Sequence, residues 1–260
     1  MPSFTAKDVQ DLRKSTGAGM MDAKRALTDA DGDFEAAVQI LREKGLAKAA
    51  TRVDRENAEG AIAIATDGTR AAALVQLKAE TDFSAKSDAF QALVRDLAQA
   101  VLGDGPEAAE SFTSQIDDLK LSTKENIEVG TVTRFEASDG GVVDGYLHGG
   151  GRAGVLIEGR DVPPEVLHEI ALHVAFAKPT YLSREEVPAE EVDKERTALL
   201  EITKHEGKPE AAWPKIVEGR LNAWYGDHVL LDQGVLGEKE TVKQRIGSGT
   251  ITRFVLATIG

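Results

Sequence analysis

With 260 residues and 42% hydrophobic content, the chain can fill one large core or two to three modest ones. Its formal net charge of -13 argues against a nucleic-acid backbone as partner, because each phosphate contact asks for a Lys or Arg. The absence of cysteine removes thiolate nucleophiles, disulfides, iron–sulfur clusters and most structural zinc sites.

No run reaches the roughly 18 apolar residues of a membrane helix, and the first residues lack the pattern of a secretory signal. A soluble cytoplasmic protein that binds other proteins, with no direct nucleic-acid or membrane contact, is expected. Residues 1–54 hold 9 basic and 9 acidic side chains, so the whole excess of negative charge lies beyond them. That asymmetry points to a separate N-terminal module.

Thr5 followed by Asp8 has the form of a capping box, and Val9 and Leu12 suit a short helix that breaks at Ser15-Thr16-Gly17-Ala18-Gly19. A second helix is expected over residues 20–29. A third opens behind Asp33, with Phe34, Val38 and Leu41 at helical spacing and Gly45 as its stop. The basic run 44–55 reads as an exposed linker. From Ala61 the pattern becomes a two-strand hairpin turning at Asp67-Gly68, the dipeptide favoured by a type I′ turn.

Glu80-Thr81-Asp82-Phe83-Ser84 then falls between a strand and a helix that is marked by Phe90, Leu93, Val94, Leu97 and Val101 and stops at Gly103. Residues 106–126 are polar and give no clear element. Strand patterns over 127–135, 142–148 and 154–157 read as an antiparallel meander, with a helix that starts at Pro163-Pro164 and ends before Lys178-Pro179 on one face. Helix signals flank Gly207-Lys208-Pro209, which makes a helical hairpin. Residues 250–257 read as a buried strand that returns to the sheet.

Enzyme signatures fail on inspection. His168 and His173 are one residue too far apart for a zinc helix, their rings lying roughly 140° apart around it. Residues 103–108 spell a dinucleotide pattern but follow a helix, and Pro106 removes an amide. The chain has no P-loop and no nucleophile elbow. Gly149-Gly150-Gly151-Arg152 is read first as a turn between strands, with an anion cradle as the alternative.

Two segments carry a family resemblance. Leu12-Arg13-Lys14-Ser15-Thr16-Gly17-Ala18-Gly19-Met20-Met21-Asp22-Ala23-Lys24-Arg25-Ala26-Leu27 is similar to the N-terminal signature of the elongation factor Ts family, and Glu80-Thr81-Asp82-Phe83 with Ala85-Lys86 resembles the second. Tyr146-Leu147-His148 and Lys215-Ile216-Val217-Glu218-Gly219-Arg220 extend the similarity along the chain. The sequence departs from the family pattern at Lys78-Ala79, where Asn-Cys is usual, and at Ser84, where a small apolar residue is usual. It also lacks the Ile-Gly that precedes the acidic residue near Glu125.

The resemblance implies an α+β fold. Residues 1–54 would form a three-helix ubiquitin-associated-like domain and 55–135 the first core subdomain. Residues 136–182 with 226–260 would form the second, and 183–225 an inserted helical hairpin. Both core subdomains would carry antiparallel sheets.

It further implies guanine nucleotide exchange on the GTPase elongation factor Tu, by displacing Mg2+ and promoting GDP release, with no covalent chemistry, catalytic residue, metal or cofactor in the chain itself. Thr81, Asp82, Phe83 and Ser84 would act beside the partner's magnesium and phosphates. Arg13, Met20, Met21, Lys24 and His148 would bind the partner. In some relatives the hairpin also mediates a homodimer. Taken alone, Phe83 would be a core residue closing the hairpin; the motif turns that expectation outward. The weaker alternatives are an adaptor working through its first 54 residues and a hydrolase using His148.

Overall fold

The computed structural model describes residues 4–260. Its first half runs α1 (Ala6–Thr16), α2 (Met20–Asp29), α3 (Phe34–Ala50), β1 (Glu59–Asp67), β2 (Ala71–Ala79), α4 (Asp82–Ala85), α5 (Asp88–Asp104), α6 (Thr113–Thr123) and β3 (Glu128–Glu136). The second half runs β4 (Gly141–His148), β5 (Ala153–Arg160), α7 (Pro164–Ala177), α8 (Ala189–His205), α9 (Trp213–His228), α10 (Val242–Arg245) and β6 (Thr250–Thr258). Two antiparallel three-stranded sheets, ordered β1-β2-β3 and β4-β5-β6, make the fold α+β as expected. Among the described residues no helix is long and apolar enough to cross a membrane.

The described residues form two compact units. The first comprises the chain up to Ile62, Val75–Val132 and Ile259–Gly260; the second comprises Ala63–Leu74 and Thr133–Thr258.

In the first unit the expected capping box is present. The Thr5 hydroxyl accepts from the Asp8 amide at 3.3 Å, and the Asp8 carboxylate accepts from the Thr5 amide at 2.6 Å. Val9, Leu12, Ala23, Ala26, Leu27 and Ala37 then meet in a small three-helix core. Gly45 does not stop the third helix, which continues to Ala50. Its missing side chain serves packing instead: a Cβ there would lie 2.3 Å from Leu121 Cδ2 of α6. Residues 106–123 are helical, as a 3-10 turn (Pro106–Phe112) followed by α6, with Ile116 and Leu119 buried, and 124–126 lead on to β3. Arg42 ties α3 to α6 through Asp118 and the Ser114 hydroxyl.

α5 runs one residue past Gly103, ends at Asp104 and buries Phe90, Leu93, Val94, Leu97 and Val101. The residue that closes α6, Lys124, sits in the left-handed region at φ 61, ψ 28, and its amide donates to Lys120 O. An L side chain there opposes the backbone by crowding its own carbonyl.

The hairpin turn also differs from the type I′ expectation. Gly68 has φ 56 but Thr69 stays out of the left-handed region, and the Arg70 amide closes the turn on Asp67 O. Type I′ needs both central residues at positive φ.

In the second unit β4 pairs with β5 from Gly141↔Arg160 to His148↔Ala153, and β5 pairs with β6 from Ala153↔Thr258 to Arg160↔Thr250, with a bulge at Glu158/Gly159. The expected meander is therefore corrected: β3 joins β2 in the first sheet, not β4. The connection after β3 is captured by the buried Glu158 carboxylate. It accepts from the Ser138 amide at 2.7 Å and hydroxyl at 2.8 Å, and from Arg253 Nε at 2.7 Å. Those bonds hold the Glu158 carboxyl below its ordinary range against the opposing effect of burial.

α7 covers one face of this sheet with Ile170 and Val174 fully buried, as its spacing predicts, and Lys178 ends it. β6 is not the buried strand expected. It lies at the sheet edge with only Ile251 and Ala257 of its residues buried, and Arg253 stacks over the Phe135 ring at 4.2 Å. Apolar content alone does not tell a central strand from an edge that leans on its neighbours. α8 and α9 form the expected hairpin around Gly207-Lys208-Pro209, with Val217 and Leu221 buried.

On the buried face of α7, His173 has both ring nitrogens engaged. Nδ1 accepts from the Leu236 amide at 3.0 Å, so Nε2 carries the proton and donates to Gln233 Oε1 at 2.9 Å. Burial lowers its pKa from the ordinary 6.5, with the Gln233 bond opposing.

Two outcomes follow from these local conflicts. Lys124→Gly is expected to raise unfolding stability by about 0.5–1 kcal/mol, read from urea midpoints, because it relieves the left-handed backbone; a loss of stability would refute the assignment of strain. For His173, the unfolded chain takes up a proton that the folded ring refuses, so stability should decline as pH falls below 6.5. His173→Asn should start less stable yet lack that increment between about pH 7.5 and 5.5. Identical pH slopes for both proteins would contradict it.

Candidate functional site

Strand β2 ends at Ala79, and after two intervening residues the chain enters the single helical turn α4 at Asp82. Thr81 is extended, at φ -126 and ψ 151, and its hydroxyl accepts from the Ser84 amide at 3.2 Å as an N-cap. This geometry turns Asp82 and Phe83 outward. Phe83 is 85% exposed, more than any other large hydrophobic residue among the described residues. Phe83 is therefore not a core residue closing the hairpin, and it faces outward as the motif implies. Asp82 pairs with Lys86 at 2.7 Å, four residues on, and that bond holds its carboxyl below the ordinary range.

A turn of four residues cannot hold itself, since one helical turn orders several residues for very few bonds. The support comes from Glu125, beyond the end of α6. Its Oε2 accepts from the Glu80 and Thr81 amides, each at 3.2 Å. Its Oε1 accepts from the Thr81 hydroxyl at 2.7 Å and the Ser84 hydroxyl at 2.6 Å. In return Glu80 accepts from the Asn126 amide at 2.6 Å, and the Asn126 side chain donates to Val53 O and Arg55 O. Hydrogen bonds to an ionised acceptor are the shorter and stronger kind.

Ser84, placed by the motif among the magnesium-displacing residues, is buried at 4% exposure and faces Glu125. It supports the turn from beneath. Its hydroxyl stands where the family usually has an apolar side chain, so this chain supplies a donor there. Sequence reasoning singled out Glu125 only for the departure from the family pattern before it, and missed its role as the support of the turn. Its four partners lie 41 to 45 positions away, and no local spacing announces them.

In the N-terminal bundle Arg13, Met20, Met21 and Lys24 are all exposed. The opposite face of α2 is fixed by buried Ala23, Ala26 and Leu27. Met20 and Met21 are 49% and 65% exposed, so both side chains face outward. The α1 end below them is closed by the Gly17 amide on Arg13 O.

His148, in the second unit, ends β4 and is exposed. Its carbonyl accepts from the Gly151 and Arg152 amides at 3.2 and 3.1 Å. Gly149, Gly150 and Gly151 have φ of 58, 66 and 99, a run of backbone that only glycine adopts without strain. Two amides of the loop are thus spent on the turn, in keeping with the turn reading over the anion cradle. His168 and His173 bond to different groups, Asp144 and Gln233 respectively. No three metal-ligating side chains gather among the described residues.

The family model described as Elongation factor TS matches residues 80–260. The elongation factor Ts of Clavibacter michiganensis subsp. michiganensis (strain NCPPB 382) is 40% identical over 279 residues, spanning 100% of both chains. That of Mycobacterium avium (strain 104) is 41% identical over 289 residues, spanning 100% of this chain and 99% of the relative. Exposed Phe83 on a clamped turn and full-length similarity to these relatives lead to one conclusion: the chain belongs to the elongation factor Ts family.

Proposed function

We propose that the chain catalyses guanine nucleotide exchange on elongation factor Tu in translation elongation, by contact alone and without covalent chemistry. The observation that carries this reading is Phe83: its side chain is 85% exposed while the turn beneath it is held by four hydrogen bonds, from two amides and two hydroxyls, to one carboxylate. An aromatic group presented this way enters a partner with little ordering left to lose.

The thermodynamics is linkage. A factor that binds the nucleotide-free GTPase more tightly than the nucleotide-bound form weakens nucleotide binding by the same ratio. Phe83 acts as a wedge between side chains that hold the partner's Mg2+ in place. Asp82 brings carboxylate oxygens beside it, exchanging its exposed pair with Lys86 for groups on the partner. Once Mg2+ is displaced, the phosphates of GDP are less neutralised and are held less tightly. Thr81 and Ser84 keep the turn in shape. Arg13, Met20, Met21 and Lys24 dock on the nucleotide-binding domain, with methionine giving an adaptable apolar contact. His148 supplies a further contact from the second unit.

Phe83→Ala should leave the fold unchanged, since the side chain packs on little of its own chain. It should slow release of labelled GDP from elongation factor Tu on the order of tenfold or more, the scale expected of an aromatic hot spot. Asp82→Ala should slow it less. Wild-type release rates in both variants would remove the basis of the reading. Glu125→Ala should cost about 1–3 kcal/mol of stability, because the buried Ser84 hydroxyl and the part-buried Glu80 amide lose their acceptor, and should depress exchange although Glu125 itself lies behind the tip. Full exchange activity in that variant would show that the shape of the turn is immaterial.

A further inference from the structure

His148 does not stand alone on its sheet face. Residues 144, 146 and 148 of β4 point to the same side, as alternation along a strand requires, and each meets a polar or aromatic neighbour there. The Tyr146 hydroxyl lies 3.0 Å from His148 Nδ1. The Tyr146 ring packs against the core under α7 and meets the His168 ring edge-on, with centroids 5.8 Å apart at 88°. His168 Nδ1 lies 2.8 Å from Asp144 Oδ2. A carboxylate only accepts, so His168 donates through Nδ1 and its ring is fixed by that bond.

Tyr146 is therefore braced from below, and its hydroxyl has one partner among the described residues, His148. A phenol is a better donor than acceptor, and the unprotonated imidazole nitrogen is the better acceptor. Were Nδ1 to donate instead, the phenol proton would have no acceptor in the protein. The tyrosine thus favours the tautomer of His148 with its proton on Nε2.

We propose that Tyr146 is a positioning residue for partner recognition: it holds His148 with Nε2–H outward, as a donor to a carboxylate or main-chain carbonyl on the GTPase. This rests on the reading that His148 touches elongation factor Tu. Among the described residues Nε2 takes no hydrogen bond, whereas Nδ1 is engaged. Asp144 and His168 act one step behind, by keeping the tyrosine ring in place.

The test uses the full chain and three variants, Tyr146→Phe, His148→Ala and the two combined. Imidazole nitrogen chemical shifts of the free protein read the tautomer directly. In the wild type His148 should show a protonated Nε2 and a bare Nδ1, and in Tyr146→Phe the two should move toward a mixture. Affinity for nucleotide-free elongation factor Tu should fall about two- to tenfold in Tyr146→Phe, the range expected for one hydrogen bond. It should fall at least as far in His148→Ala, and no further in the double variant.

Unchanged imidazole shifts in Tyr146→Phe overturn the proposal, and so does wild-type affinity in that variant while His148→Ala is weakened. Wild-type affinity in His148→Ala overturns the contact reading itself, and the role of Tyr146 with it.

Discussion

The tie between Glu125 and the turn at Thr81–Ser84 is the interaction on which the outward presentation of Phe83 depends. One carboxylate accepts from two amides and two hydroxyls, and so fixes the direction in which a short, largely exposed turn leaves strand β2. Each such bond is worth only about 1 kcal/mol net in a folded protein. Their combined effect is geometric: the turn has too few residues and too little buried apolar surface to select one conformation by itself. Only Ser84 and Ala85 of α4 are buried.

Delivery of that carboxylate draws on several features that look unrelated in the sequence. α6 must reach the site, and it does so against α3, whose Gly45 leaves room for Leu121. The chain must then reverse abruptly after Thr123. It does so with Lys124 in the left-handed region, a conformation disfavoured for a lysine, which places Glu125 immediately beyond the helix. Asn126 completes the arrangement by pinning the backbone at Val53 and Arg55 while its amide meets Glu80. Strain at one residue is tolerated because neighbours on both sides hold it.

Legibility followed the range of the deciding interaction. The first capping box, the extent of α2 and the end of α7 at Lys178 depend on residues a few positions apart, and their chemistry is visible in the sequence. The passage of α3 through Gly45 depends on Leu121, and the strand partner of β3 on pairing with β2; neither leaves a local mark. β6 is apolar enough for a central strand, yet lies at an edge where Arg253 covers Phe135 and neutralises Glu158. At the site, the strand–turn–helix placement of Asp82 and Phe83 was readable, and the motif gave their exposure. Glu125 was not readable, because an acidic residue after a polar helix has no distinguishing feature until the fold brings Thr81 and Ser84 to it.

The two carboxylates of this region illustrate what separates scaffold from contact. Glu125 is half-buried and saturated with donors from its own chain, so exchanging them for groups on another protein would expose amides and hydroxyls without compensation. Asp82 is exposed, and its single ion pair with Lys86 is of the solvent-screened kind that contributes little and exchanges readily. A factor that must bind, displace a ligand and leave again needs both: a backbone that does not rearrange on contact, and side chains whose existing bonds are cheap to give up. Phe83 belongs with Asp82 in this respect, since its exposed ring has little to lose on leaving water for an apolar cleft. The difference in burial between Glu125 and these two neighbours is what allows a rigid turn to make a reversible contact.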